Sequence, residues 1–197
     1  MNKKDKEKIP DISAVIDGKW KEGRDNKWRL TIPNAKQWLQ SGLRHFLGND
    51  AVWLPEYDEV AAWMEHTNGR GLLCIGDCGR GKTVVTQKIL PAVFANSLNL
   101  HFPCFTAMDL LEKYEEIRDY KIIFIDDAGI EPNMKKYGVT HNYFSELVNL
   151  CERSDKMLIC STNLNREELI ARYGLRTMDR LTAITTRVFF EGESMRR

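Results

Sequence analysis

The sequence predicts an α/β domain built on a central parallel sheet, and three observations carry that prediction. Strand-like apolar runs and helix-like patterns alternate between residues 71 and 190. Residues 121–126 are apolar on both faces, as a strand covered by helices on each side must be. A glycine-rich turn, Gly76-Asp77-Cys78-Gly79-Arg80-Gly81-Lys82-Thr83, joins the first of these strands to a helix.

Taken in order, residues 1 to about 50 are polar, charged and irregular, and all five tryptophans (Trp20, Trp28, Trp38, Trp53, Trp63) lie in the first third. Within this arm, Thr31-Ile32-Pro33-Asn34 predicts a helix start, and Trp38, Leu39, Leu43 and Phe46 follow at helical spacing. That face either packs on the main domain or docks a partner; a buried face and a docking face look alike in sequence. A second short helix after Pro55 carries Val60, Ala61, Trp63 and Met64 and breaks at Asn68-Gly69.

The main domain, residues 51–197, then reads as strand 71–75, helix 83–96 bent at Pro91, strand 100–106, helix 108–117 and strand 121–126. Helix 142–153, strand 157–161, helices 166–173 and 177–184, and strand 187–190 complete it.

Composition narrows the function class. A formal net charge of +1 argues against binding nucleic acid by bulk electrostatics alone, although a local basic patch is compatible with it. No apolar run approaches the roughly 20 residues needed to cross a bilayer, and the lysine-rich start lacks the apolar core of a secretory signal. Five scattered cysteines fit a reducing, cytoplasmic compartment with free thiols, and Cys74 and Cys78 have no second pair to complete a zinc site.

The glycine-rich turn matches G-x-x-x-x-G-K-[ST] at Gly76, Gly81, Lys82 and Thr83, with a strand before it and a helix after. Glycines let the backbone curl until successive N–H groups face one concavity, and the helix start adds its own. The stretch Gly76, Asp77, Cys78, Gly79, Arg80, Gly81, Lys82, Thr83, Val84 is therefore a candidate nucleotide cradle. Lys82 would sit on the β- and γ-phosphates of ATP and the Thr83 hydroxyl on Mg²⁺. Cys78 is either an inert small side chain or a thiolate favoured by Lys82 and the helix end.

A carboxylate at the tip of a neighbouring buried strand should complete the site, and Asp126 emerges there. It would hold the Mg²⁺ water shell, leaving Asp127 to orient or deprotonate the attacking water. A third strand ends in Ser161-Thr162-Asn163, where the Asn163 amide can both donate and accept beside the γ-phosphate. After the Asp126 strand, Lys135, Lys136 and His141 fall in a loop and helix start, as a solvated loop or as phosphate contacts to single-stranded DNA.

These blocks, in this order, resemble the AAA+ ATPases, and in detail the DnaC/IstB-type group of bacterial and phage helicase loaders. Phe124-Ile125-Asp126-Asp127-Ala128-Gly129-Ile130-Glu131 is similar to that group's Walker B run, and Ser161-Thr162-Asn163-Leu164 to its sensor 1. The run from Tyr173 to Leu181 resembles its arginine-finger segment. The likeness covers roughly residues 50 to 190. It implies a P-loop NTPase three-layer sandwich, an AAA+ core without the C-terminal helical lid, since seven residues follow Phe190. It also implies Arg180, or else Arg176, as a finger inserted against ATP held by a neighbouring copy, so that a homo-oligomer forms on ATP binding.

The function so implied is an ATP-hydrolysing helicase loader or primosome accessory ATPase acting on a replicative helicase. An IstB-like transposition helper and a slow-turnover, nucleotide-bound interaction module are the alternatives. A small-molecule kinase would need a mobile arginine-rich lid, and no such segment follows the phosphate loop.

Overall fold

Residues 27–136 and 139–195 are described by a computed structural model, with the side chains of 134–141 left aside. Trp20 and the first 26 residues of the expected arm lie outside the described residues, as do the side chains of Lys135, Lys136 and His141. The central strands are the most apolar segments of the chain. β1 (Gly71–Gly76), β3 (Ile122–Asp126) and β6 (Met157–Thr162) occupy the middle of the sheet, with β2 (Cys104–Thr106) and β7 (Thr185–Phe190) at its edges. All five pair in parallel, in the order β2-β3-β6-β1-β7.

Alternation along these strands feeds two cores. Leu72, Cys74, Phe124, Ile159 and Val188 enter one; Leu73, Ile75, Ile123, Ile125, Leu158 and Cys160 enter the other. Each such side chain, fully buried, contributes about 1.5–3 kcal/mol, so covering both faces is the main favourable term in the fold. The first core is closed by α1 (Ala35–Leu47), α2 (Glu56–Glu65) and α3 (Leu90–Leu98). The second is closed by α4 (Leu110–Ile117), α5 (Tyr143–Arg153), α6 (Arg166–Tyr173) and α7 (Leu175–Ile184). The result is the expected three-layer α/β sandwich.

On α1, Leu39 and Leu43 are buried in the first core, Trp38 packs against it and Phe46 is exposed. The preceding segment is pinned to the end of α2, where the Leu30 N–H donates to Thr67 Oγ1 (2.9 Å) and the Ile32 N–H to the Met64 carbonyl (3.0 Å).

Several expectations need correction. The helix after the phosphate loop is not a single bent α-helix: Val84–Ile89 is π-helical and α3 starts at Leu90, with Pro91 in its first turn. Proline has no N–H to continue the ladder there but is tolerated at a helix start. The strand expected over 100–106 pairs only from Cys104 to Thr106, because Pro103 cannot donate to a ladder. Helix 108–117 begins as a 3₁₀ turn, Ala107–Asp109, before α4. Asn34 stands at the start of α1 in the left-handed conformation (φ 58°) and makes no side-chain cap. The stretch around Lys135, Lys136 and His141 is not a loop leading into a helix. β4 (Met134–Lys136) and β5 (Val139–His141) pair there as an antiparallel hairpin.

Candidate functional site

The glycine-rich turn sits where the sequence places it, between β1 and the π-helical segment. Gly76, Gly79 and Gly81 all have positive φ, which lets the backbone wrap around a concavity. Lys82 is buried, and its Nζ donates to the Gly76 carbonyl (2.6 Å) and the Asp77 carbonyl (2.7 Å). Burial pulls its pKa below the ordinary lysine value, and Cys78 and Asp127 oppose that pull. An anion entering the loop would take over donors already held at its rim.

The acidic half differs from expectation in one respect: β6, not β3, is the immediate neighbour of β1. Asp126 therefore reaches past Ser161 of β6 to Thr86, in the helical segment that follows the loop. It is buried, the Ser161 hydroxyl donates to its Oδ1, and the Thr86 hydroxyl lies 3.4 Å from the same oxygen. Ser161 is also bound by the next residue, since the Asp127 N–H donates to Ser161 Oγ at 3.0 Å. Asp127 adopts a left-handed backbone (φ 55°), which turns the chain sharply after β3. Its Oδ1 accepts from Asn163 Nδ2 at 3.2 Å, so the expected water-orienting and sensor residues are in contact.

A cleft of about 530 Å³ joins these groups. Cys78, Gly79, Arg80, Gly81, Lys82, Thr83 and Val84 line it together with Asp127 and Asn163. Of the residues expected at the site, Gly76, Asp77, which is exposed, and Asp126, which is buried, do not line the cleft. Phe46, Leu47, Val52, Leu54, Tyr57 and Met195 add an apolar lining that sequence reasoning missed. Ser161, Thr86 and Glu56 were missed too. Glu56 forms a buried ion pair with Arg80 at 2.7 Å.

Arg176 and Arg180 are not brought to this cleft. Arg176 is exposed on α7. Arg180 donates from Nη1 to Asn149 Oδ1 and pairs through Nε with Glu152 at 3.0 Å, both on α5.

The donor set fits a nucleotide with a hard divalent cation. A glycine cradle and a lysine await phosphate, and a threonine hydroxyl and a buried carboxylate offer the oxygen ligands that Mg²⁺ prefers. Among the described residues, no cluster of three or more His, Cys, Asp and Glu could hold a metal ion on its own. No described helix is long and apolar enough to cross a membrane.

The five-stranded parallel sheet, its helical layers and the glycine-rich loop after β1 make a three-layer α/β fold of the P-loop type. No protein-family model matches the chain, and no curated protein does. Solved structures do. A primosome component from Streptococcus pyogenes serotype M3 is similar over 83% of this chain and 83% of its own, with a TM-score of 0.52 and 14% identity. The DnaC helicase loader matches over 90% of this chain and 99% of its own at 15% identity and a TM-score of 0.46. DnaI matches over 64% and 73% at 18% identity and a TM-score of 0.49.

Proposed function

We propose that this chain binds and slowly hydrolyses ATP with Mg²⁺, and acts in DNA replication as a helicase loader or primosome accessory ATPase. The observation that carries the reading is one cleft lined by Lys82 and Thr83 and by the Asp127–Asn163 pair. Lys82 would neutralise the β- and γ-phosphates, Thr83 and Asp126 would hold Mg²⁺, and Asp127 would orient the attacking water. The apolar lining suits a base, which needs desolvation more than charge.

Arg180, or Arg176, would complete the site from a neighbouring copy, so that assembly switches hydrolysis on and the γ-phosphate shifts the population toward the assembled state. A replicative helicase is the proposed client, and single-stranded DNA a second ligand. The resemblance of residues 124–131, 161–164 and 173–181 to the loader group supports that choice. Residues 1–50, whose described part is seated on the core through Leu39 and Leu43, are the proposed docking segment beside an ATPase domain of 51–197.

The test is sedimentation of the wild type, Lys82→Ala and Asp127→Asn with ATP–Mg²⁺, with hydrolysis measured on the same samples. Assembly and turnover are expected for the wild type, neither for Lys82→Ala, and assembly without turnover for Asp127→Asn. A wild type that stays monomeric and inert, with a helicase and single-stranded DNA supplied, would sink the proposal. A slow-turnover interaction module is the second reading, favoured by the pairing of Arg180 with Asn149 and Glu152 inside its own subunit. There, Asp127→Asn would leave partner binding untouched while Lys82→Ala abolishes it.

A further inference from the structure

Glu131 is a buried carboxylate that the cleft does not account for. It is 2% exposed and absent from the cleft lining. Each of its oxygens has a donor: the Gly129 N–H donates to Oε2 at 2.8 Å, and the Tyr173 hydroxyl to Oε1 at 2.5 Å. Arg172 reinforces the site, with Nε 3.5 Å from Oε1 and Nη2 donating to the Glu131 carbonyl. Tyr173 is buried beside a carboxylate, which pushes its hydroxyl pKa up and keeps it a donor.

What these contacts hold is a sharp turn. Asp127 is left-handed at φ 55° and Gly129 follows at φ 117°, while the Ile130 N–H donates back to the Asp127 carbonyl at 3.3 Å. Aspartate tolerates this conformation better than most residues, so what fixes the turn is the set of hydrogen bonds around it. From the sheet side, Ser161 does this, accepting the Asp127 N–H on its hydroxyl and the Ala128 N–H on its carbonyl (2.8 Å). From the other side the corresponding acceptor is Glu131, itself fastened to the last turn of α6.

We infer that Glu131 is a positioning residue for hydrolysis: braced by Tyr173 and Arg172, it fixes the 127–129 turn so that the Asp127 carboxylate stays beside Asn163. The inference rests on the reading of Asp127 as the water-orienting group. Glu131 touches neither nucleotide nor water; it acts through the backbone. A displaced carboxylate leaves phosphate binding intact, because Lys82 and the loop amides hold the phosphates, but it misplaces the water.

The experiment compares Glu131→Leu, Glu131→Gln and Tyr173→Phe with the wild type by three readouts: affinity for fluorescent methylanthraniloyl ATP, single-turnover hydrolysis, and thermal unfolding. Glu131→Leu offers no acceptor, so its hydrolysis should fall by about tenfold or more with affinity within about twofold, the split expected of lost positioning. Glu131→Gln keeps a carbonyl for the Gly129 N–H and an amide that can donate to Tyr173, so it should recover most of the rate. Tyr173→Phe removes one brace, stays foldable if Glu131→Leu does not, and should give an intermediate rate.

Wild-type hydrolysis in all three variants, or affinity and rate falling together in step with the melting temperature, overturns the inference. Unchanged hydrolysis in Asp127→Asn, with nucleotide still bound, overturns the Asp127 reading and this inference with it. A wild type that binds no nucleotide overturns the proposed function itself.

Discussion

Arg80 of the glycine-rich loop and Glu56 of α2 meet at 2.7 Å with both side chains buried, so the loop is anchored from outside the cleft. Arg80 also reaches the Glu193 carbonyl at 3.4 Å, and the Met195 N–H donates to the Gly79 carbonyl at 3.0 Å. Glu56→Ala would leave a buried guanidinium without its carboxylate at a cost of about 3 kcal/mol, whereas replacing both partners by apolar residues should be closer to neutral. Urea denaturation of Glu56→Ala, Arg80→Met and the double variant checks this. The double variant should be more stable than Glu56→Ala; additive losses would mean that the pair is not the anchor.

Gly76 is constrained twice. Its backbone has φ 147°, and a Cβ there would lie 2.0 Å from the Phe190 carbonyl oxygen on the paired strand β7. Because backbone, not a side-chain tip, would have to move, Gly76→Ala should cost about 4 kcal/mol or more. Gly174, between α6 and α7, also has positive φ (81°), but nothing lies within 4 Å of its Cβ position. With ψ 156° this is an extended region that essentially only glycine adopts, so Gly174→Ala should cost the conformational term alone, about 1–3 kcal/mol. Thermal unfolding of the two variants separates steric clash from backbone strain.

These two cases mark how far the sequence could be read. The loop, Asp126, Asp127 and Asn163 were legible because their chemistry is local: a fixed spacing of glycines and lysine, or a polar residue ending an apolar strand. The Gly76–Phe190 contact was not, because strand order depends on pairing between distant segments. Nor was the insertion of β6 between β1 and β3. Glu56 and Glu131 look like ordinary surface glutamates in sequence, and their partners lie 24 and 42 residues away. The β4–β5 hairpin has three-residue strands, too short to show an alternation. The π-helical stretch has the same apolar pattern as an α-helix over two turns.

Asp109 gives a pH-dependent term that can be isolated. Its Oδ2 accepts from both the Thr106 N–H (2.8 Å) and the Thr106 hydroxyl (2.7 Å), and its Oδ1 from Lys113 Nζ (2.8 Å). Led by Lys113, these donors lower its pKa to about 2. The folded pKa lies below the unfolded one, so this stabilisation is complete above the ordinary carboxylate range, near pH 4. It is lost as pH falls toward 2. Asp109→Asn should cost about 1 kcal/mol at neutral pH, allowing for the partial exposure of the pair. The gap between variant and wild type should close on acidification, as read from urea midpoints across that range. A gap that persists at pH 2 would assign the loss to packing.

Arg180 offers the sharpest separation of stability from function. Its partners Asn149 and Glu152 sit on α5, and the ion pair is partly exposed, so removing it should cost less than about 1 kcal/mol. As a finger acting on a neighbour's ATP, however, it would stabilise charge developing on the transferred phosphoryl group. Loss of such an arginine lowers turnover by about a thousandfold or more. Arg180→Ala should accordingly melt near the wild-type temperature and bind ATP normally, yet lose nearly all assembly-dependent hydrolysis. Glu152→Gln, which breaks the ion pair but keeps the guanidinium, should keep its turnover. Mixing Arg180→Ala with Asp127→Asn, which assembles without turning over its own ATP but retains an intact arginine, should restore activity, because each variant supplies what the other lacks. If the mixture stays inactive while both proteins assemble, the arginine acts within its own subunit; if Arg180→Ala turns over ATP as the wild type does, Arg176 becomes the residue to test.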